Sequence, residues 1–174
     1  MTDARPSSPN DVSEPIPAGE YVVDLEQSEL RFKAKAFGLV WVRGRMPAAA
    51  GSFRITDGTL SGTGEVAADQ VDTGVAARDG HLRSSHYLDT TRHPVISATV
   101  DGADLGSGVA DCTVVVRGTA SPVRMTINSV AVVDGALRLE AGVALDRTPY
   151  PMFPPAAGVS RIVHVALTVV ARER

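Results

Sequence analysis

The chain is short of cysteine: Cys112 is the only one in 174 residues. No disulfide can close within it, so the fold must rest on its packed core. An excess of one charge is also missing. Lys and Arg number 17 against 20 Asp and Glu, a net charge of −3. That balance argues against a dedicated nucleic-acid binder, which concentrates basic residues. No apolar run reaches the roughly 18 residues of a membrane-crossing helix. The longest, residues 162–171, includes His164, and stable membrane insertion is not expected. Residues 1–17 lack the basic start and apolar stretch of a secretory leader, so the product is expected in the cytoplasm. Four prolines among Ser, Asp and Asn make residues 1–18 read as a disordered lead-in. Residues 19–174 are then one domain of ordinary globular composition, with 44% hydrophobic residues.

What the chain has in quantity is β-forming side chains. Val, Ile and Thr number 42, and they suit a pleated surface. Turn pairs recur at Asp57-Gly58, Ser61-Gly62, Asp101-Gly102, Gly106-Ser107-Gly108 and Asp134-Gly135. Short strands punctuated this regularly predict a sandwich or barrel. Leu30, Phe32, Ala34 and Ala36 alternate with Arg31, Lys33 and Lys35, and Leu137, Leu139, Ala141, Val143 and Leu145 alternate with Arg138, Glu140 and Asp146. Each such segment has one apolar and one wet face. Further strands are expected at residues 21–25, 39–45, 51–55, 59–67, 95–100, 112–119, 123–133 and 162–171, with Asp134-Gly135 closing a hairpin.

One segment breaks this rhythm. Between Val71 and Pro94 the chain concentrates charge and carries His81, His86 and His93. Asp72 or Thr73 is suited to cap one short helical turn, and Ser84 or Ser85 another through Tyr87-Leu88-Asp89. Arg78-Asp79-Gly80-His81-Leu82-Arg83-Ser84, then Tyr87-Leu88-Asp89, then His93-Pro94-Val95-Ile96, resembles the pattern of the YceI-like proteins. Tyr21-Val22-Val23-Asp24, Val42-Arg43-Gly44-Arg45-Met46, Val114-Val115-Val116-Arg117-Gly118-Thr119 and Asp146-Arg147 agree with that family in order. The resemblance implies an all-β fold: an antiparallel, lipocalin-like barrel of about eight strands, with one or two short helical turns between Val71 and Pro94. It also implies an elongated apolar cavity for a polyisoprenoid lipid of the polyprenyl phosphate or isoprenoid quinone type. Storage or transport follows as the expected role, without catalysis and without a cofactor other than the bound lipid.

The residues argue for a cavity separately. A barrel of about eight strands is just wide enough to be filled by side chains or to hold one slender ligand. Small inward residues such as Ala34, Ala36, Ala98 and Ala141, in a chain with 5% aromatics, leave space. A core packed tight by Val is the competing reading. The expected inward set is Leu30, Phe32, Ala34, Ala36, Val40, Ile55, Ile96, Val114, Val116, Leu137, Leu139, Val143, Val165 and Leu167. Arg78, Asp79, His81 and Arg83 are expected at the barrel mouth, where Arg and His meet a phosphate or quinone oxygen. The favoured reading of the same residues is structural: Asp79 caps the next turn and Arg78 clamps a carbonyl or an acid.

Other readings are weaker. The spacing of His81, His86, His93 and His164 fits no zinc motif, and no metal is expected. Cys112 sits among Val114 and Val116 as a buried apolar residue. An enzyme acting on a small apolar substrate through His81, Asp79 and Arg78 is one alternative, although no Gly-x-Ser-x-Gly elbow occurs. A ligand-free scaffold working through the proline-rich loop at residues 149–155 or through an exposed edge is another, and a homodimer stays open. Lys33 and Lys35, the only lysines, read as a solvated strand face with a weak attraction to acidic headgroups.

Overall fold

The computed structural model describes residues 15–152 and 158–174. Most of the expected lead-in, and residues 153–157 of the proline-rich loop, lie outside the described residues. The elements in chain order are β1 (Gly19–Val23), β2 (Glu29–Ala36), β3 (Val40–Thr56), β4 (Thr59–Ala67), α1 (Ala76–Arg83), β5 (Val95–Asp104), β6 (Val109–Val116), β7 (Thr119–Val133), β8 (Ala136–Asp146) and β9 (Ile162–Glu173).

Each strand from β2 to β8 pairs antiparallel with the next, and α1 lies in sequence between the paired β4 and β5. β9 lies beside β8 and returns to β2 and β1, and both of these also pair with β3. β1 and β2 therefore occupy one position between β3 and β9, interrupted at residues 24–28. The sheet closes as an eight-position antiparallel barrel.

The turns explain most of the strand boundaries. Asp57-Gly58, Arg117-Gly118 and Asp134-Gly135 each place two residues in left-handed geometry. Two such residues between paired strands match the twist of a hairpin. Ser61-Gly62 and Asp101-Gly102, expected as turns, instead lie inside β4 and β5, whose register slips between Leu60 and Gly62. Gly62 is needed for close approach: a Cβ there would stand 2.4 Å from the Ser52 carbonyl oxygen. The sequence signal for a turn and for a bulge is the same glycine.

Residues 39–45 and 51–55, expected as two strands, belong to the single strand β3. A bulge between Ala48 and Ala50 replaces the break and switches which alternate residues face inward. Its first half pairs with β2, and on its other edge Arg45 and Asp72 exchange backbone hydrogen bonds of 2.9 and 3.0 Å. That contact anchors the chain entering α1. Helix α1 follows Val75, with no side-chain cap from Asp72 or Thr73. The region after Ser84 forms hydrogen-bonded turns, with Tyr87 and Asp89 both donating to the Ser84 carbonyl.

One end of the barrel is packed solid. Tyr21, Ile55, Leu60, Leu137 and Ala171 form a buried cluster, backed by Phe53, Leu105, Val130 and Leu139. Ile16 packs against this cluster and Tyr21 Oη donates to the Pro17 carbonyl (2.8 Å), so order extends ahead of residue 19. A second cluster of Ala103, Ala110, Cys112, Met125 and Ala141 lies above it.

Candidate functional site

The interior is not filled over its whole length. A cavity of about 480 Å³ occupies the bore between the two buried clusters and α1. Its cause is visible in the side chains. Ala34, Ala36, Ala48, Ala50, Gly64 and Ala98 line the wall built by β2 to β5. Val114, Val116, Val123, Val143, Val165 and Leu167 line the opposite wall, from β6 to β9. Small side chains on one wall leave space that Val and Leu on the other do not cross. The β2 lining runs from Leu30 to Ala36, roughly 20 Å of strand at the usual rise. The volume falls within the roughly 300–1,000 Å³ of small-molecule sites.

Phe32 reaches the lining by lying across Gly44, its cross-strand partner. A Cβ on Gly44 would stand 2.4 Å from the Phe32 ring. Met46, Ala68 and Val71 carry α1 onto the barrel, together with Phe32, Leu82, Leu88 and Ile96. The cavity reaches the surface at the opposite end from the packed cluster, beside Phe37, Met152 and Val159.

Of the inward set, Leu30, Phe32, Ala34, Ala36, Ile96, Val114, Val116, Val143, Val165 and Leu167 line the cavity. Val40 does not: it has the same parity as Val42 but lies beyond the rim and is 60% exposed. Ile55 and Leu137 face inward but are each 1% exposed within the packed end, and Leu139 packs against both buried clusters. Alternation gives the face of a strand but not the height along the bore, which explains these differences.

The polar candidates divide in the same way. Arg78 and His81 border the cavity. Asp79 is buried with its carboxylate turned to Thr73, whose N–H and Oγ1 donate to Oδ1 at 2.8 and 2.5 Å. Arg78 donates to Thr73 Oγ1 and to its carbonyl, both at 2.8 Å. Both residues thus clamp the loop ahead of α1. Arg83 ends the helix outside the lining, where its carbonyl accepts from Thr90.

Sequence reasoning missed three further polar residues at the mouth. Arg147 is 4% exposed and lines the cavity, with Nε donating to the Ser160 carbonyl and Nη2 to that of Val159, both at 2.8 Å. Burial pulls its pKa down, and the neighbouring Tyr87 opposes that shift. Tyr150 lines the same region and donates to the Val114 carbonyl at 3.1 Å, while burial pushes its phenol up. Tyr87 meets the His81 ring edge-on at 5.1 Å. The available signal was Asp146-Arg147 directly after an alternating strand, but nothing in that pair tells a buried Arg from a solvated one.

His93 lies against Gly118 and His164 sits on the outer face beside Trp41. Among the described residues no three His, Cys, Asp or Glu side chains are grouped to hold a metal ion. Cys112 is buried, and burial pushes its thiol up. Among the described residues no helix is long and apolar enough to cross a membrane.

Packed at one end and hollow towards the other, the molecule is a lipocalin-like antiparallel barrel with an apolar bore. The model of the YceI-like domain matches residues 21–171, and the chain belongs to that family. It is 30% identical over 100 residues to a UPF0312 protein of Pseudomonas aeruginosa, covering 51% of this chain and 52% of that protein. A UPF0312 protein of Pectobacterium carotovorum is 32% identical over 87 residues, or 47% of this chain and 45% of the relative. The chain thus spans about half the length of the curated relatives it matches. Among solved structures, it superposes on a polyisoprenoid binding domain of Saccharophagus degradans with a TM-score of 0.69 at 15% identity, covering 88% of this chain and 98% of that one. BcnA of Burkholderia cenocepacia gives 0.71 at 16% identity, covering 85% and 98%.

Proposed function

We propose that the protein binds an isoprenoid lipid, of the polyprenyl phosphate or isoprenoid quinone type, and stores or carries it. The apolar cavity of about 480 Å³ supports this reading most directly. The hydrocarbon tail occupies the bore between the Ala-rich and Val-rich walls, and each buried CH2 contributes about 0.8 kcal/mol before the entropy of ordering the chain. The head rests at the mouth. There Arg78, His81 and Arg147 line the cavity with side chains of the kind that pair with phosphate or quinone oxygens, while Thr73, Val159 and Ser160 hold the two guanidinium groups in place. The name of the Saccharophagus degradans domain points to the same ligand class.

Binding without turnover is part of this reading. Asp79 Oδ1 accepts from Thr73 N–H and Oγ1, which supports a structural role for this carboxylate over a reaction through a His81–Asp79 pair. The test is native mass spectrometry of the purified chain, before and after incubation with a polyprenyl phosphate and with an isoprenoid quinone. A stoichiometric adduct that organic extraction releases intact is expected. A protein that stays free of adduct with both lipids would overturn the reading.

A further inference from the structure

The outer surface beside the mouth has its own chemistry. At the tip between β2 and β3, Phe37 is 80% exposed, Leu39 86% and Val40 60%, and Trp41 follows at 37%. Exposed apolar residues scattered singly are ordinary, but a contiguous patch marks an interaction site. The turn itself does not call for Phe. Phe37 and Gly38 repeat the left-handed pair of the other hairpins, where Asp57, Arg117 and Asp134 fill the first position. That backbone disfavours a bulky side chain.

The stems of the hairpin are as one-sided in charge as the tip is in hydropathy. Residues 31–45 hold Arg31, Lys33, Lys35, Arg43 and Arg45 and no acid, in a chain whose net charge is −3. All five stand on the outward alternation, opposite in sense to Phe32, Ala34 and Ala36. Lys33 is paired across the strands with Arg43, and Lys35 with Trp41. Lys33 Nζ and Lys35 Nζ lie 4.9 and 5.1 Å from the centre of the Trp41 ring. Arg31 pairs with Glu29 and Arg45 with Asp72. Among the described residues Lys33, Lys35 and Arg43 have no acidic partner within salt-bridge distance. Like charges directly opposed on a sheet repel, and an anionic surface laid over them relieves that repulsion.

We propose that this hairpin docks the protein on an anionic lipid bilayer. Phe37, Leu39 and Val40 enter the acyl boundary, Trp41 sits at headgroup level, and Lys33, Lys35 and Arg43 meet lipid phosphates. This is the division of labour of interfacial anchors: apolar residues buried shallowly, an aromatic at the interface and cations against acidic headgroups. A second copy of the chain would bring the same cations face to face, which favours the bilayer as occupant. The proposal rests on the rim and the outer face of this hairpin and does not depend on what fills the bore.

The full chain, without added ligand, is mixed with vesicles of phosphatidylcholine alone or of equimolar phosphatidylcholine and phosphatidylglycerol. Co-sedimentation and the emission of Trp41, the only tryptophan, are then read. Binding to the anionic vesicles is expected to be at least roughly tenfold tighter, to weaken as salt is raised and to shift Trp41 emission to the blue. Leu39→Asp with Val40→Asp, and separately Lys33→Gln with Arg43→Gln, should each reduce binding to the level of neutral vesicles, with circular dichroism unchanged. Equal binding to both vesicle types overturns the proposal, as does full binding by either double variant. A dimer in solution that the tip variant dissociates also overturns it, by making the tip a contact between copies.

Discussion

Ser28 and Val170 exchange two hydrogen bonds across the seam of the barrel. Ser28 Oγ donates to the Val170 carbonyl (3.2 Å) and accepts from the Val170 N–H (2.9 Å). The seam is where β1 and β2 share one position and residues 24–28 leave β9 without a ladder partner. Asp24 N–H also reaches the Val170 carbonyl, at 2.8 Å, so the N–H is the group that depends on the serine. Ser28→Ala should lower stability by about 1–3 kcal/mol, the cost of a buried donor left unpaired. Urea unfolding followed by circular dichroism measures this, and Ser28→Thr should recover part of the loss.

The packed end should behave as a core in its own right. Leu137 is 1% exposed and touches the cluster of Tyr21, Ile55, Leu60 and Ala171. Leu137→Ala should destabilise by about 2–5 kcal/mol, from lost burial and the void left behind. Equilibrium denaturation reads this directly. A change below about 1 kcal/mol would mean the end is looser than its burial indicates.

Two alanines on inward faces should answer differently to the same replacement. Ala34 lines the cavity, whereas Ala141 is enclosed with Ala103, Ala110, Cys112 and Met125. Ala34→Trp should place its ring in existing space, keep the β signal and unfolding midpoint, and block lipid uptake. Ala141→Trp has no such space, so it should overpack and lower stability by at least about 1–3 kcal/mol. Paired uptake and denaturation measurements separate the two outcomes.

A pH dependence follows from Asp146. Arg161 donates to its Oδ2 from Nε and Nη2 at 2.9 and 2.6 Å, and Thr148 donates to Oδ1 from N and Oγ1 at 2.9 and 2.7 Å. The Arg161 bond, then those from Thr148, hold the carboxyl well below the usual carboxylate range. A pKa depressed by folding stabilises the folded state above the unfolded-state pKa, and that contribution fades as pH falls through the folded-state pKa. Asp146→Asn should therefore unfold more readily than the wild type at neutral pH. The gap should close in strong acid, and salt should shrink it because the Arg161–Asp146 pair remains open to solvent. A gap that stays constant with pH would assign the effect to the hydrogen bonds rather than to the charge.

The alternation of Leu30 to Ala36 and of Leu137 to Leu145 carried the inward faces of β2 and β8 because a two-residue period has a single reading on a strand. Turn pairs such as Asp134-Gly135 placed a hairpin for the same local reason. Height along the bore is set by closure of the whole sheet, so Val40 beyond the rim and Leu137 in the packed end looked alike in sequence. Glycines within strands read as turns because a bulge and a turn draw on the same residue. The mouth was half legible. Arg78 and His81 stand in a segment that breaks the β rhythm, whereas Arg147 and Tyr150 are brought to the cavity by long-range closure that no local pattern encodes.

Because Ile55 and Leu137 stop the far end, the barrel is a sleeve with one working rim. A tail bound as proposed would be unable to pass through and would leave by the end it entered. On the proposed reading, loading and release would share that one rim, and a bound molecule would keep a single orientation inside.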